Sequence, residues 1–256
     1  MWIDVARLYD FYQTPQGDVV RGAVNHQLRS LWYDSWGQTI ACFGYGHPFM
    51  DLFLGRCTRA LMMMPAPMGV CPFPLEGPNL ACLCPVDRIP LPDCSVNKLL
   101  VIHSLEFAAD PKTILREAWR VLVSGGELLI FVPNRRGLWA RAPLTPFGVG
   151  TPYSGRQLYT LADEACFTPI KPTYCLYHPP MDPFLSHTFQ EQLENFGHNW
   201  LKKIGGLVMM QAHKRVAANI KQASPPIGKR IFIPEGLLPQ KRSLGRQEAC
   251  PPKKGS

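Results

Sequence analysis

The segment from Lys98 to Pro133 constrains the fold more than any other part of this chain. "KLLVIHSL" (98–105) is a continuous apolar run of the kind that strands buried on both faces carry. "DPKTILREAWRVL" (110–122) then repeats its apolar residues with helical period. Asp110 is placed to cap this helix and Pro111 suits its first position, while Ile114, Leu115, Ala118, Val121 and Leu122 line one face. "SGG" (124–126) supplies a stop that tolerates left-handed backbone, and "ELLIFVP" (127–133) reads as a second buried strand. Strand, helix, Gly-Gly and strand form a βαβ unit with a parallel crossover.

The remaining segments extend the alternation. Residues 1–35 read as two helices, the second marked by Val20, Val24, Leu28 and Leu31 at a 3.6-residue period. "QTIACFGYGHPF" (38–49) is a β-prone run ending in glycines, with a helix expected from about Phe49. "RALMMM" (59–64) and "NLACLC" (79–84) are further candidate strands. "SGRQLYTLADEACF" (154–167), with Ser154 as its cap, and 189–203 read as helices, and 205–215 as a closing strand. The pattern predicts a doubly wound, mostly parallel α/β sheet. Its organisation is a helical cap over 1–35, an α/β domain over 36–217 and a basic, Pro-rich tail over 218–256. The 26 prolines, about twice the usual ~5%, imply many irregular connections.

Residues 89–133, "IPLPDCSVNKLLVIHSLEFAADPKTILREAWRVLVSGGELLIFVP", resemble the corresponding stretch of class I S-adenosylmethionine-dependent methyltransferases, "RVLxxGG" and its flanking strand being the most specific part. "ACFGYGHPF" (41–49) lies at the right distance upstream to be the glycine-rich first loop of that family. The resemblance spans roughly residues 36–215 and implies a Rossmann-like, seven-stranded fold with S-adenosylmethionine as cofactor. In such sheets a ligand sits beyond the carboxyl ends of the strands, where strand order reverses. The residues that fall at the cofactor positions are Gly44, Tyr45 and Gly46, then Met64 and Pro65, then Asp87, Arg88 and Ile89, and finally His103.

The chain departs from the family at its acids. Cys42, Gly44, Gly46 and Pro48 stand where the first motif reads acid-x-Gly-x-Gly-x-Gly, so two glycines remain and the acid is gone. No carboxylate lies between Asp51 and Glu76, which leaves the ribose-binding acid absent. Pro85 stands at a third acidic position, with Asp87 displaced by two, and Asn97 replaces an aspartate. Gly44 and Gly46 can be cofactor glycines or turn glycines, Asp87 a ligand or a loop acid, His103 a base or a core histidine. No catalytic base is legible.

After the strand at 127–133, Arg135, Arg136 and Trp139 occupy the region that covers the acceptor in the family. Arginines there would grip a carboxylate or phosphate with bidentate bonds, or simply be solvated. Methyl transfer to a small acceptor is the leading expectation, and a methyltransferase-like binding protein without turnover is the alternative. A nicotinamide oxidoreductase would need a third glycine where Phe49 stands.

The charge of +8 lies entirely in residues 214–256, which hold ten Lys/Arg against Glu235 and Glu248. Nucleic-acid methylation is therefore not expected of the neutral domain, although the tail could attract polyanions. Nine cysteines include no C-x-x-C pair, which argues against a metal site. "MWIDVARLYDFYQ" lacks the apolar run of a signal peptide and no stretch approaches ~20 apolar residues, so a cytoplasmic protein without membrane insertion is expected.

Overall fold

In the computed structural model, which describes residues 1–180 and 204–216, the strand–helix alternation closes into one sheet. The strands are β1 (Thr39–Gly44), β2 (Arg59–Pro65), β3 (Ala81–Cys84), β4 (Val96–Ile102), β5 (Leu122–Pro133), β6 (Phe167–Pro169), β7 (Thr173–Cys175) and β8 (Leu207–Lys214). Their order is β3-β2-β1-β4-β5-β8-β6, with β7 also paired to β8. The four pairings from β3 across to β5 are parallel, whereas β8 runs antiparallel to β5, β6 and β7. The sheet is thus mixed and mostly parallel. It holds eight strands where seven were expected, because the short β7 adds to the edge of β8.

Among the described residues five α-helices accompany the sheet: α1 (Val5–Tyr12), α2 (Pro15–Trp32), α3 (His47–Met50), α4 (Pro111–Val121) and α5 (Gly155–Glu164). Strand residues alternate between two cores. Ile40, Cys42, Leu100, Ile102, Leu129 and Phe131 pack with α1 and α2. Ala41, Phe43, Leu99, Val101, Leu128 and Ile130 pack with α4 and α5. Period-two alternation on strands buried on both faces gives this division directly.

Local signals explain the helix ends. Asp110 caps α4 by accepting from the Lys112 amide at 3.0 Å, and Ser154 and Gln157 form a reciprocal capping box on α5. The α4 helix ends differently from the sequence expectation. Leu122 is already extended, and β5 begins there, with Gly125 at φ +70° inside the strand and a register shift opposite Val96–Lys98. Between β2 and β3 runs an irregular link in place of a helix, as the prolines there dictate. The helix expected over 189–203 and the tail over 218–256 lie outside the described residues.

The most recognisable sequence motif proves to be a structural clamp. Arg120 donates to both Glu117 carboxylate oxygens (2.9 and 2.7 Å), to Asp93 (2.7 Å) and to the carbonyls of Ile89 and Leu91 (2.8 and 2.9 Å). Glu117 in turn accepts from the Ile89 amide at 2.8 Å. The pair staples the loop before β4 onto α4. Asn97 has a comparable role, since its Oδ1 accepts from the Thr39 amide at 2.9 Å and ties the start of β1 to β4.

Candidate functional site

Strand order reverses between β1 and β4, and their carboxyl ends lie side by side: Gly44 pairs with Ile102, and His103 follows at once. Gly44 is buried at φ +111°, and a Cβ there would land on the Ile102 carbonyl oxygen. A Cβ on Gly46 would meet the Cys42 sulfur. Both glycines are therefore required by the chain's own packing. Tyr45, between them, is buried. Met64 and Pro65 end β2 nearby, also buried, with Pro65 paired to Cys84.

This end of the sheet is filled by rings. Tyr12, the last residue of α1, stacks on Tyr45 at 5.8 Å between centroids and meets Phe49 edge-on at 5.5 Å. Its hydroxyl lies 2.7 Å from His103 Nε2. Phe11 packs against Phe147 (5.9 Å) and Trp139 (6.5 Å), and Phe147 lies 5.1 Å from His103. His47 stacks on Tyr45 and faces Phe73. The loop after β2 holds α1 in place, for Val5 donates its amide to the Met68 carbonyl at 2.8 Å. The role of α1 had no signal in the sequence, because ring packing joins residues about ninety positions apart.

His103 is fully buried and takes a left-handed backbone, φ 51°, which histidine tolerates better than most residues. Its Nδ1 has no hydrogen-bond partner and lies 3.7 Å from Glu106 Oε1. Burial holds the ring's pKa down to about 3. Burial also pushes the Glu106 carboxyl up to about 7, against the pull of its own amide and that of Ser104. Tyr12 is raised as well, first by burial and then by the nearby Tyr45 and Glu106. A buried chain Tyr12–His103–Glu106 results, in which the uncharged forms are favoured.

The signs of these shifts set a stability profile. Glu106 contributes stability that is present below about pH 4.5 and lost as the pH rises through about 7. His103 contributes stability present above about pH 6.5 and lost as the pH falls toward about 3. Glu106→Gln keeps an acceptor for the Ser104 amide and removes the alkaline loss. Urea unfolding should show it roughly 2–3 kcal/mol more stable than the parent at pH 8 and no more stable at pH 4. Equal destabilisation at both pH values would contradict this reading of Glu106.

The other expected residues are dispersed. Asp87 and Arg88 are exposed on the turn after β3, and Ile89 is buried in the core on the α4 face, away from the rings around Tyr45. Arg135 is exposed and donates to the Pro152 carbonyl at 3.2–3.3 Å. Trp139 is buried, its indole N–H donating to the His178 carbonyl at 2.6 Å. Arg136 alone of the three opens onto a cavity. Among the described residues no group of three or more His, Cys, Asp or Glu could hold a metal ion, and no helix is long and apolar enough to cross a membrane.

The fit to a nucleoside-bearing methyl donor is partial. The glycine turn is retained, and the buried His47 Nε2 and His103 Nδ1 lack partners that a ligand could supply. Against it, the end of β2 offers Met64 and Pro65 where a carboxylate would hold ribose, and aromatic side chains occupy the space under α1.

Residues 75–130 match the family model described as a methyltransferase domain. No curated protein matches the chain in sequence. Similar solved structures include S-adenosylmethionine-dependent methyltransferases from three organisms. That from Thermotoga maritima is 17% identical, with a TM-score of 0.58 over 82% of this chain and 96% of that one. That from Archaeoglobus fulgidus is 14% identical, with a TM-score of 0.52 over 76% and 94%. That from Mesorhizobium loti is 13% identical, with a TM-score of 0.52 over 73% and 96%. At such identities the likeness establishes the fold.

Proposed function

We propose that this chain is a class I S-adenosylmethionine-dependent methyltransferase that methylates a small acceptor at the carboxyl ends of β1 and β4, with α1 as a cover over the donor site. The observation that carries the reading is the juxtaposition of the Gly44–Gly46 turn with His103 at the switch point of the family's sheet. Cofactor contacts are assigned to Gly44, Tyr45 and Gly46, with Met64 and Pro65 beside them. Asp87, Arg88 and Ile89, which follow β3 at the same end of the sheet, are assigned as further cofactor contacts.

The donor, when bound, supplies an electrophilic methyl group on a sulfonium. The chain's own residues orient the acceptor and exclude water. In the closed state His103 is neutral and hydrogen-bonded to Tyr12. Displacing α1 would free Nε2 and rehydrate the ring, which moves its pKa back toward 6.5 and makes it a competent proton acceptor. Glu106, ionised once the same rehydration lowers its pKa, would face Nδ1 and stabilise the protonated ring. The compartment proposed is cytoplasmic.

The missing ribose acid weakens donor affinity by about 1.5–3 kcal/mol, the value of a charged hydrogen bond. Binding should still be measurable. S-adenosylmethionine at about ten times its dissociation constant adds about 1.4 kcal/mol of stability, raising Tm by roughly 3–6 °C. An unmoved Tm at millimolar donor would favour the second reading, a methyltransferase-like protein that binds a partner without turnover. The absent acids and the ring-filled cleft are what support that alternative.

A further inference from the structure

A cavity of about 440 Å³ opens beside the start of α5, between the end of β5 and the link from β6 to β7. Three cations line it, Arg136, Arg156 and Lys171, together with the rings of Tyr159 and Tyr174. No aspartate or glutamate is among its lining residues. All three cations are exposed, and none is engaged in an ion pair among the described residues. Cations and carboxylates balance over residues 1–213, so three positive charges around one cavity, without an ion-pair partner among the described residues, mark a local departure. Like charges facing a shared space repel, and an anion placed among them relieves that repulsion.

The geometry of the donors narrows the anion. Two guanidinium forks match phosphate or carboxylate oxygens in bidentate fashion, and a lysine ammonium adds a point charge. Gly155 and Arg156 open the ten-residue α5, whose positive end points the same way in charge. The tyrosines give the cavity aromatic walls, and its volume suits a small ligand rather than a bare ion. We propose that this cavity binds a phosphomonoester carrying a ring, with Arg136, Arg156 and Lys171 holding the phosphate and Tyr159 and Tyr174 flanking the ring. The inference concerns this cavity alone and requires no methyl donor.

Phenyl phosphate is a suitable probe, titrated calorimetrically into the full chain at low salt, beside phenol and inorganic phosphate. Saturable binding of phenyl phosphate is expected, with weaker binding of phosphate and none of phenol. Arg136→Ala and Arg156→Ala should each lower affinity at least tenfold while leaving Tm within ~2 °C, since both side chains are exposed. Added salt should weaken the interaction. Absence of saturable binding up to ~10 mM, equal binding of phenol, or unchanged affinity in the Arg136→Ala, Arg156→Ala double variant would overturn the proposal. S-adenosylhomocysteine titrated into the same samples separates the two ideas: its binding should be unaffected by either arginine variant, whatever the phosphate result.

Discussion

Gly44→Ala is expected to be the most damaging alanine substitution among the described glycines. The alanine Cβ would fall on the Ile102 carbonyl oxygen while the backbone is held at φ +111°, a region that side-chain-bearing residues rarely adopt. Backbone strain and overpacking together cost about 3–6 kcal/mol. That is a large share of the ~5–15 kcal/mol by which domains are stable, and Tm should fall by roughly 10–20 °C. Gly22→Ala provides the contrast. Gly22 sits exposed inside α2, and a methyl placed on it would meet no atom within 4 Å, so alanine there should stabilise by about 0.5–1 kcal/mol. Thermal melts of the two variants test the close approach of β1 and β4, and a Gly44→Ala protein melting within ~2 °C of the parent would refute it.

Trp139→Ala should destabilise by about 3–5 kcal/mol, the usual loss for a buried tryptophan. The ring is 1% exposed, packs edge-on against Phe11 and Phe147, and gives its N–H to His178. Trp139→Phe keeps much of the packing but strips the His178 carbonyl of this donor, for about 1–3 kcal/mol. Denaturant unfolding of both variants checks the order. Nearly unchanged stability in Trp139→Ala would contradict this packing role.

The burial of Trp139 shows what a linear reading delivers. The βαβ unit was legible because buried strands and an amphipathic helix write their periods into consecutive residues, and Asp110, Pro111 and Ser154 announced the helix starts. The turn after β1 was legible for the same reason, as glycines after a strand. The site's contents were not. Tyr12, Phe11, Phe147 and Phe73 come from separate segments and converge only through tertiary packing. The cations of the α5 cavity were equally hidden, since Lys171 lies 35 positions beyond Arg136 in sequence and the two meet through the turn into β7. Arg135 and Arg136 are adjacent, yet one bonds a loop carbonyl and the other opens onto the cavity. Adjacency in sequence left that division open.

The proposed cover by α1 makes a demand on donor binding. A ligand that binds only the uncovered state shows an affinity reduced by the fraction of molecules in that state. Tyr12→Phe keeps the ring on Tyr45 and Phe49 but removes the hydroxyl from His103, leaving a buried nitrogen unpartnered and the closed state weaker by about 1–3 kcal/mol. Calorimetric titration of S-adenosylhomocysteine into the parent and into Tyr12→Phe is the most direct measurement of whether the cleft at β1 and β4 is a covered donor site. Binding to both is expected, roughly five- to a hundredfold tighter in the variant. Absence of binding to either protein, or equal affinity for the two, would contradict it.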